Sequence, residues 1–202
     1  MKAAICLSFL TAIMISCNNN KTRTIFPAGC ELKTGDIVFR RGGGISSHAV
    51  MMADRNGRYS HVGIVVDSAG RKMIVHAVPG EPDFKGDPDR VKMETPEKFF
   101  SSTNANAGEV KRLKGDTVTP IKAAAYAMHT YRRKTLFDHD YDDSDTTKMY
   151  CCELVEFAYA KAGLSLAGTR RHDISLPGLK KIHCMLPSDI CNSKSLKKII
   201  VF

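Results

Sequence analysis

The sequence predicts one domain in which helices accompany antiparallel strands, and three patterns predict it. Two β-branched-rich runs, Ser60-His61-Val62-Gly63-Ile64-Val65-Val66 and Arg71-Lys72-Met73-Ile74-Val75-His76-Ala77, flank Asp67-Ser68-Ala69-Gly70 and read as a hairpin. Downstream, Leu154, Val155, Ala158 and Ala162 lie at i+3, i+4, i+7 and i+11 from Cys151, the spacing of one helix face. The chain has 202 residues with 43% hydrophobic and 25% charged side chains, enough for one ordinary core and too little for two well-buried ones.

The elements follow in order from Ile25. Leu32-Lys33-Thr34-Gly35-Asp36-Ile37-Val38-Phe39-Arg40 reads as a turn into a short strand, and Gly42-Gly43-Gly44 leads from it into a short helix over Ile45 to Ala53. That glycine run lacks the Gly-Lys-Ser/Thr of a phosphate loop. After the hairpin, Val91-Lys92-Met93-Glu94 alternates as an edge strand does, and Thr95-Pro96 starts a helix with Thr as N-cap and Pro in the first helical position. Glu109 to Leu113 is a further strand. Thr119-Pro120 opens a helix whose apolar face is predicted to be Ile121, Ala124, Ala125, Met128 and Tyr131, which leaves His129 on the surface. The acidic run Phe137 to Asp145 lacks the glycine and terminal glutamate of a calcium loop, and its acids can equally cap the next helix.

The first residues are not expected to belong to the fold. Met1-Lys2 supplies a positive charge, Ala3 to Ile15 is an apolar run, and Met14-Ile15-Ser16-Cys17 ends it with a small residue before a cysteine. This resembles a bacterial lipoprotein signal. The resemblance implies cleavage before Cys17, lipidation of Cys17 and a membrane-tethered protein, and Asn18 fits sorting to the outer membrane, facing the periplasm. The division expected is a signal over residues 1–16, a polar tether over 17–24 and the domain over 25–202.

Net charge is +9, or +8 once Lys2 leaves with the signal. Its basic residues are scattered doublets such as Arg40-Arg41 and Lys197-Lys198, and no nucleic-acid motif accompanies them, so we expect solvated surface with weak attraction to anionic membrane and no nucleic-acid partner. Beyond Cys6 and Cys17, five cysteines remain, and a Cys184–Cys191 bridge is conceivable in an oxidising compartment. No CxxC or HExxH ligand set occurs, so neither a metal nor another cofactor is expected.

Chemistry concentrates at Met149-Tyr150-Cys151-Cys152-Glu153-Leu154-Val155. A helix start carries unpaired N–H groups and the positive end of the helix dipole, both of which favour thiolate over thiol. The stripe that runs from Cys151, rather than the one from Cys152 through Glu156, faces the body of the protein. Each hairpin strand carries one histidine. A four-residue loop sets His61 opposite His76, a two-residue loop makes them diagonal neighbours on one face, and only an odd loop separates them. A base oriented by a second polar group beside a thiol is the arrangement a cysteine nucleophile needs.

Several pieces together resemble the permuted papain-like cysteine hydrolases of the YiiX/YebB-like type, relatives of the NlpC-type cell-wall peptidases. They are Leu32 to Phe39, Ser60 to Ile64, Ile74-Val75-His76-Ala77-Val78-Pro79-Gly80, Tyr141 through Val155, and Leu186-Pro187-Ser188-Asp189. The resemblance implies an α+β fold, circularly permuted and papain-like, with a small antiparallel sheet presenting the histidines to the cysteine helix. Its pattern Cys-Ser-Glu-Leu-Val places the nucleophile on Cys151 and the base on His61. Many relatives carry Glu where His76 stands, and the similar lecithin retinol acyltransferase-like proteins carry His. The implied mechanism has His61 hold the Cys151 thiolate as an ion pair, His76 fix the His61 ring, the Cys151 N–H stabilise the oxyanion, and Tyr150 orient substrate. Amide cleavage in cell-wall peptide or a lipidated amide is the expected reaction; lipid acyl transfer or hydrolysis, and a non-catalytic binding lipoprotein, are the alternatives.

Overall fold

In the computed structural model, which describes residues 23–55, 57–175 and 181–202, the hairpin forms the middle of an eight-stranded sheet. The signal-like segment and Cys17 lie outside the described residues. In chain order the elements are β1 (Ile37–Arg41), α1 (Ile45–Ala53), β2 (His61–Ser68), β3 (Arg71–Val78), β4 (Arg90–Glu94), α2 (Pro96–Phe99) and β5 (Ala107–Leu113). Then come α3 (Val118–Arg132), β6 (Leu136–Phe137), β7 (Lys148–Met149), α4 (Cys151–Lys161), β8 (His172–Ile174), β9 (Ile182–Cys184), α5 (Pro187–Cys191) and β10 (Leu196–Val201). The large sheet runs β10-β5-β1-β2-β3-β4-β6-β7, antiparallel except for the β6–β7 pair, while β8 and β9 form a separate ribbon. The fold is α+β.

Register follows from the turn. Ser68 pairs with Arg71, so the loop is the two residues Ala69-Gly70, with φ of 53° and 78°. Both residues therefore take the left-handed conformation that a twist-matched two-residue hairpin requires. Ile64 then faces Val75, and His61 and His76 become diagonal neighbours on one face.

The pleat sorts β2 into two cores. Val62, Ile64 and Val66 join Leu154, Val155 and Ala158 of α4 and the alanines of α3, whereas Val65 joins Val38, Ile74, Phe99, Phe100 and Val110 on the opposite face. Burying each such aliphatic side chain is worth about 1.5–3 kcal/mol, which makes the two-sided burial of β1 to β3 the main anchor of the fold.

Three expectations need correction. In α3 the buried residues are Pro120, Ala123, Ala124, Ala127 and Thr130, while Ile121 is 58% exposed. Small alanines let α3 approach α4 closely, and the larger side chains are displaced to the flanks, where Met128 and Tyr131 are only partly buried. His129 is exposed, as expected. Strand β4 is not the sheet edge, because short β6 pairs with its start at Arg90. The expected tether already touches the domain before Ile25: the Thr24 hydroxyl donates to the Phe100 carbonyl at 3.0 Å, and the Ser102 N–H donates to the Arg23 carbonyl at 2.8 Å. Cys184 and Cys191 are free, buried thiols, and no bridge joins them.

Candidate active site

Helix α4 begins at Cys151 itself, with Tyr150 as the extended N-cap residue. The Glu153 carboxyl accepts the Tyr150 N–H at 3.3 Å, which fixes the entry of the chain and leaves the Cys151 N–H in the unpaired first turn. Buried Glu153 is pushed up to about 9 by burial and by Asp138, Asp143 and Asp145, against the Tyr150 N–H. It is therefore a neutral acid near pH 7.

The two cysteines differ from the stripe prediction. Cys152 is the deeply buried one, and Cys151 is half-buried at the wall of a cleft, so α4 is apolar on more than one face. Their sulfurs lie 3.9 Å apart. Cys151 is held well below the ordinary thiol range by the Cys152 thiol, against burial, with further support from a hydrogen bond and charge of His61 and the Val62 N–H. Burial drives Cys152 the other way. One sulfur is thus readily deprotonated, and its neighbour stays a thiol that donates to it.

His61 reaches Cys151 because it is the first residue of β2. The pleat puts it on the face of Gly63 and Val65, away from most of α4, but at the strand end it meets the start of that helix, whose sulfur also touches the Val62 backbone. His61 Nε2 lies 2.9 Å from His76 Nδ1, and His76 Nε2 lies 3.2 Å from Glu94 Oε2. The Glu94 carboxylate, at ion-pair distance but outside hydrogen-bond alignment, favours the His76 tautomer with the proton on Nε2. His76 Nδ1 then accepts from His61 Nε2, which leaves His61 Nδ1 as the free base for the thiol. Phe99 seals this row, with ring centroids 5.7 Å from His61 and 5.0 Å from His76. Gly63 makes the close approach possible: a β-carbon there would stand 2.8 Å from Ile74 Cγ2 and 3.2 Å from His76 Cβ.

Burial fixes the charges. Burial lowers both imidazoles; His61 falls to about 4, with the Arg40 charge adding to the effect, and Glu94 opposes the lowering of His76. Against its own burial, Glu94 is held well below the usual carboxylate range by His76 and by Lys98, whose Nζ is 3.0 Å away. Burial thus works against the imidazolium, while the His61 contact works for the Cys151 thiolate. His61 holds a proton poorly and serves to carry one rather than to store it.

Glu94 is the member of the row that sequence reasoning missed. Its strand was recognised, but its place beside His76 depends on β3–β4 register, in which Lys92 faces His76 and Glu94 faces Ile74. Arg40 was also missed. It is buried, donates to the Phe99 carbonyl at 2.7 Å, lies over the Phe99 ring and pairs with Glu81, whose other oxygen accepts from Asn104 at 3.1 Å. Tyr150 lines the cleft, and its hydroxyl oxygen accepts the Met185 N–H at 3.0 Å.

The cleft has two lobes that share Ser60, Cys151, Tyr141 and residues of α1. One, of about 280 Å³, contains His61, Arg40, Glu81 and Asn104. The other, of about 310 Å³, contains Ile174, Ile182, Cys184, Met185 and Leu186 and does not include His61.

Comparison with known proteins bears on this site. The family model of the permuted papain-like amidase enzymes, YaeF/YiiX, C92 family, matches residues 31–200. The chain belongs to this family. It is accordingly a cysteine hydrolase of the permuted papain-like amidase type. The structure is also similar to the crystal structure of metalloprotein yiiX from Escherichia coli O157:H7, with a TM-score of 0.65 at 19% identity, covering 83% of this chain and 96% of that one. At that identity the likeness speaks for the fold alone. A comparison with curated proteins finds no match.

Proposed function

We propose that the protein is an envelope-tethered amidase in which Cys151 is the nucleophile, His61 the proton carrier, His76 the residue that orients it and Glu94 the anchor of the row. The continuous line from Cys151 through His61 and His76 to Glu94 supports this reading above any other observation. The thiol passes its proton to His61 Nδ1 as sulfur attacks the carbonyl carbon. The C–S bond forms, the oxyanion rests near the Cys151 N–H, and His61 delivers the proton to nitrogen as the C–N bond breaks. Water then cleaves the thioester by the reverse route.

Cell-wall peptide and lipidated amide are the two substrate classes that an envelope tether through Cys17 suits. The alternative of lipid acyl transfer is supported by the apolar lobe, since an alcohol could take the thioester in place of water. The neighbour yiiX is described as a metalloprotein. Among the described residues of this chain, no three His, Cys, Asp or Glu side chains come together as metal ligands, so no step here is routed through a metal.

The test combines product analysis on purified cell-wall peptide and on N-acyl amides with thiol labelling. Amine release together with rapid alkylation of Cys151 near neutral pH, slowed in His61→Ala, is the expected result. Equal inertness of wild type and mutant would instead mark a binding lipoprotein.

A further inference from the structure

His61 discharges its proton onto the leaving nitrogen, so the amine side of a bound amide must lie on the His61 side of Cys151. His61 borders only the lobe that contains Arg40, Glu81 and Asn104. Once the nitrogen lies there, the acyl group is left to the other direction, and in that direction the walls are aliphatic. Ile174 and Ile182 form a cross-strand pair of the β8–β9 ribbon, both half-buried, and Met185, Leu186 and Ala53 complete the surface.

We propose that the two lobes read the two sides of the scissile amide: the substrate is an N-acyl amine whose extended aliphatic acyl chain fills the apolar lobe and whose polar amine portion lies against Arg40, Glu81 and Asn104. This assignment rests on the amidase reading given above, which fixes the direction of cleavage. The lobe of about 310 Å³ has room for roughly ten groups of a water molecule's size, so a chain of medium length fits it. The Arg40–Glu81 side suits the amine for a second reason. Arg40 and Glu81 neutralise one another and are already hydrogen-bonded, so they offer a fixed dipolar surface to hydroxyl, amide or zwitterionic groups and gain nothing from a hydrocarbon. A cell-wall peptide, polar on both sides of its amide, would leave the aliphatic lobe filled with unfavourably placed polar groups.

The experiment measures protection of Cys151 from iodoacetamide, read by intact mass, in the presence of two amide series. In one the acyl chain lengthens on a constant glycinamide; in the other an alkylamine lengthens on a constant acetyl group. Protection by the first series is expected to tighten about two- to fourfold per methylene until the lobe is full, with little change along the second. Ile174→Ser should flatten the first slope, and Ala53→Leu, which fills the lobe from α1, should move its plateau to shorter chains. A flat acyl series, equal slopes in the two series, or a slope and plateau unaltered by both substitutions would overturn the assignment. Amine release from the same mixtures reports separately on the amidase reading: protection with the expected slopes but no release would sink that reading and leave the lobes as a binding site for acyl amines.

Discussion

The two walls of the cleft are built in opposite ways. The wall that carries the proton row is dry and interlocked: His76 is 0% exposed, between β2 and β4 and under Phe99, and Glu94 is 3% exposed beside it. The wall opposite is α1, which has no buried residue at all and leaves Ile45 at 92% and Met52 at 70% exposure. Orientation of an imidazole requires rotamers locked by packing, and low polarity strengthens both the His61–His76 hydrogen bond and the His76–Glu94 ion contact. A surface that only covers substrate has no such requirement, and a helix held by few buried contacts belongs to the low-stability end of the structure. The sheet sets the chemistry; the helix sets what is admitted.

The largest effect that sharpens this contrast is expected within the adjacent cysteines. Cys151→Ser should lower kcat/KM by a factor of at least about 10³ in a steady-state amide assay. Cys152→Ser keeps a donor toward Cys151 and should leave activity within about tenfold. Reversal of that order would move the nucleophile to the buried sulfur.

Next comes the far end of the row. Glu94→Gln removes the charge that selects the His76 tautomer and should cost on the order of 10- to 100-fold in kcat, less than the ~10⁴ seen where such a carboxylate touches the base directly. In the wild type the acid limb of kcat/KM should lie near pH 4, far below the ordinary histidine range, because His61 must be free of its proton to accept one from the thiol. A limb at pH 6 to 7 would show that the row is wetter than the structure has it.

A smaller effect concerns stability. The Glu153 pKa is raised in the fold, to about 9, so the folded state binds more protons than the unfolded one between the ordinary carboxyl range and pH 9, and stability from this group falls as pH rises through that window. Glu153→Gln keeps the acceptor for Tyr150 and removes the ionisation. Its melting temperature should therefore gain on that of the wild type by a few degrees at pH 8 and by little at pH 5, measured by scanning calorimetry. An equal offset at both values would deny Glu153 its neutral state.

The smallest effect belongs to the outer wall: Met52→Ser on α1 should change unfolding free energy by no more than about 0.5 kcal/mol, whereas Ile64→Ala at the foot of the sheet should cost about 2–5 kcal/mol in the same denaturant titration. Similar losses at both positions would erase the distinction between the walls.

What could be read in advance follows the same division. Local periodicity revealed β1, the hairpin and the start of α4, since β-branched runs, a Gly-containing turn and an N-cap act through near neighbours in the chain. The meeting of His61 with His76 was legible because only loop parity stood between them. Glu94 was not, because its place depends on the β3–β4 register, which no tight turn fixes. The exposed side of α3 was misread for a related reason: which of its faces packs depends on the closeness that Ala123 and Ala127 allow against α4, and hydrophobicity alone favours Ile121. The depth of Cys152 likewise reflects packing on several sides of one helix, which a single stripe does not represent.

The order of the chain carries one more consequence. Strands β2, β3 and β4 follow one another and pair as neighbours, so the imidazoles and their carboxylate come together from sequence-local contacts, which form at little loop-closure cost. The sulfur arrives from far downstream, and only with the docking of α4. During synthesis the molecule is therefore mute until its second half has folded onto its first, and a fragment that stops short of Cys151 would own a finished proton path with nothing to ignite.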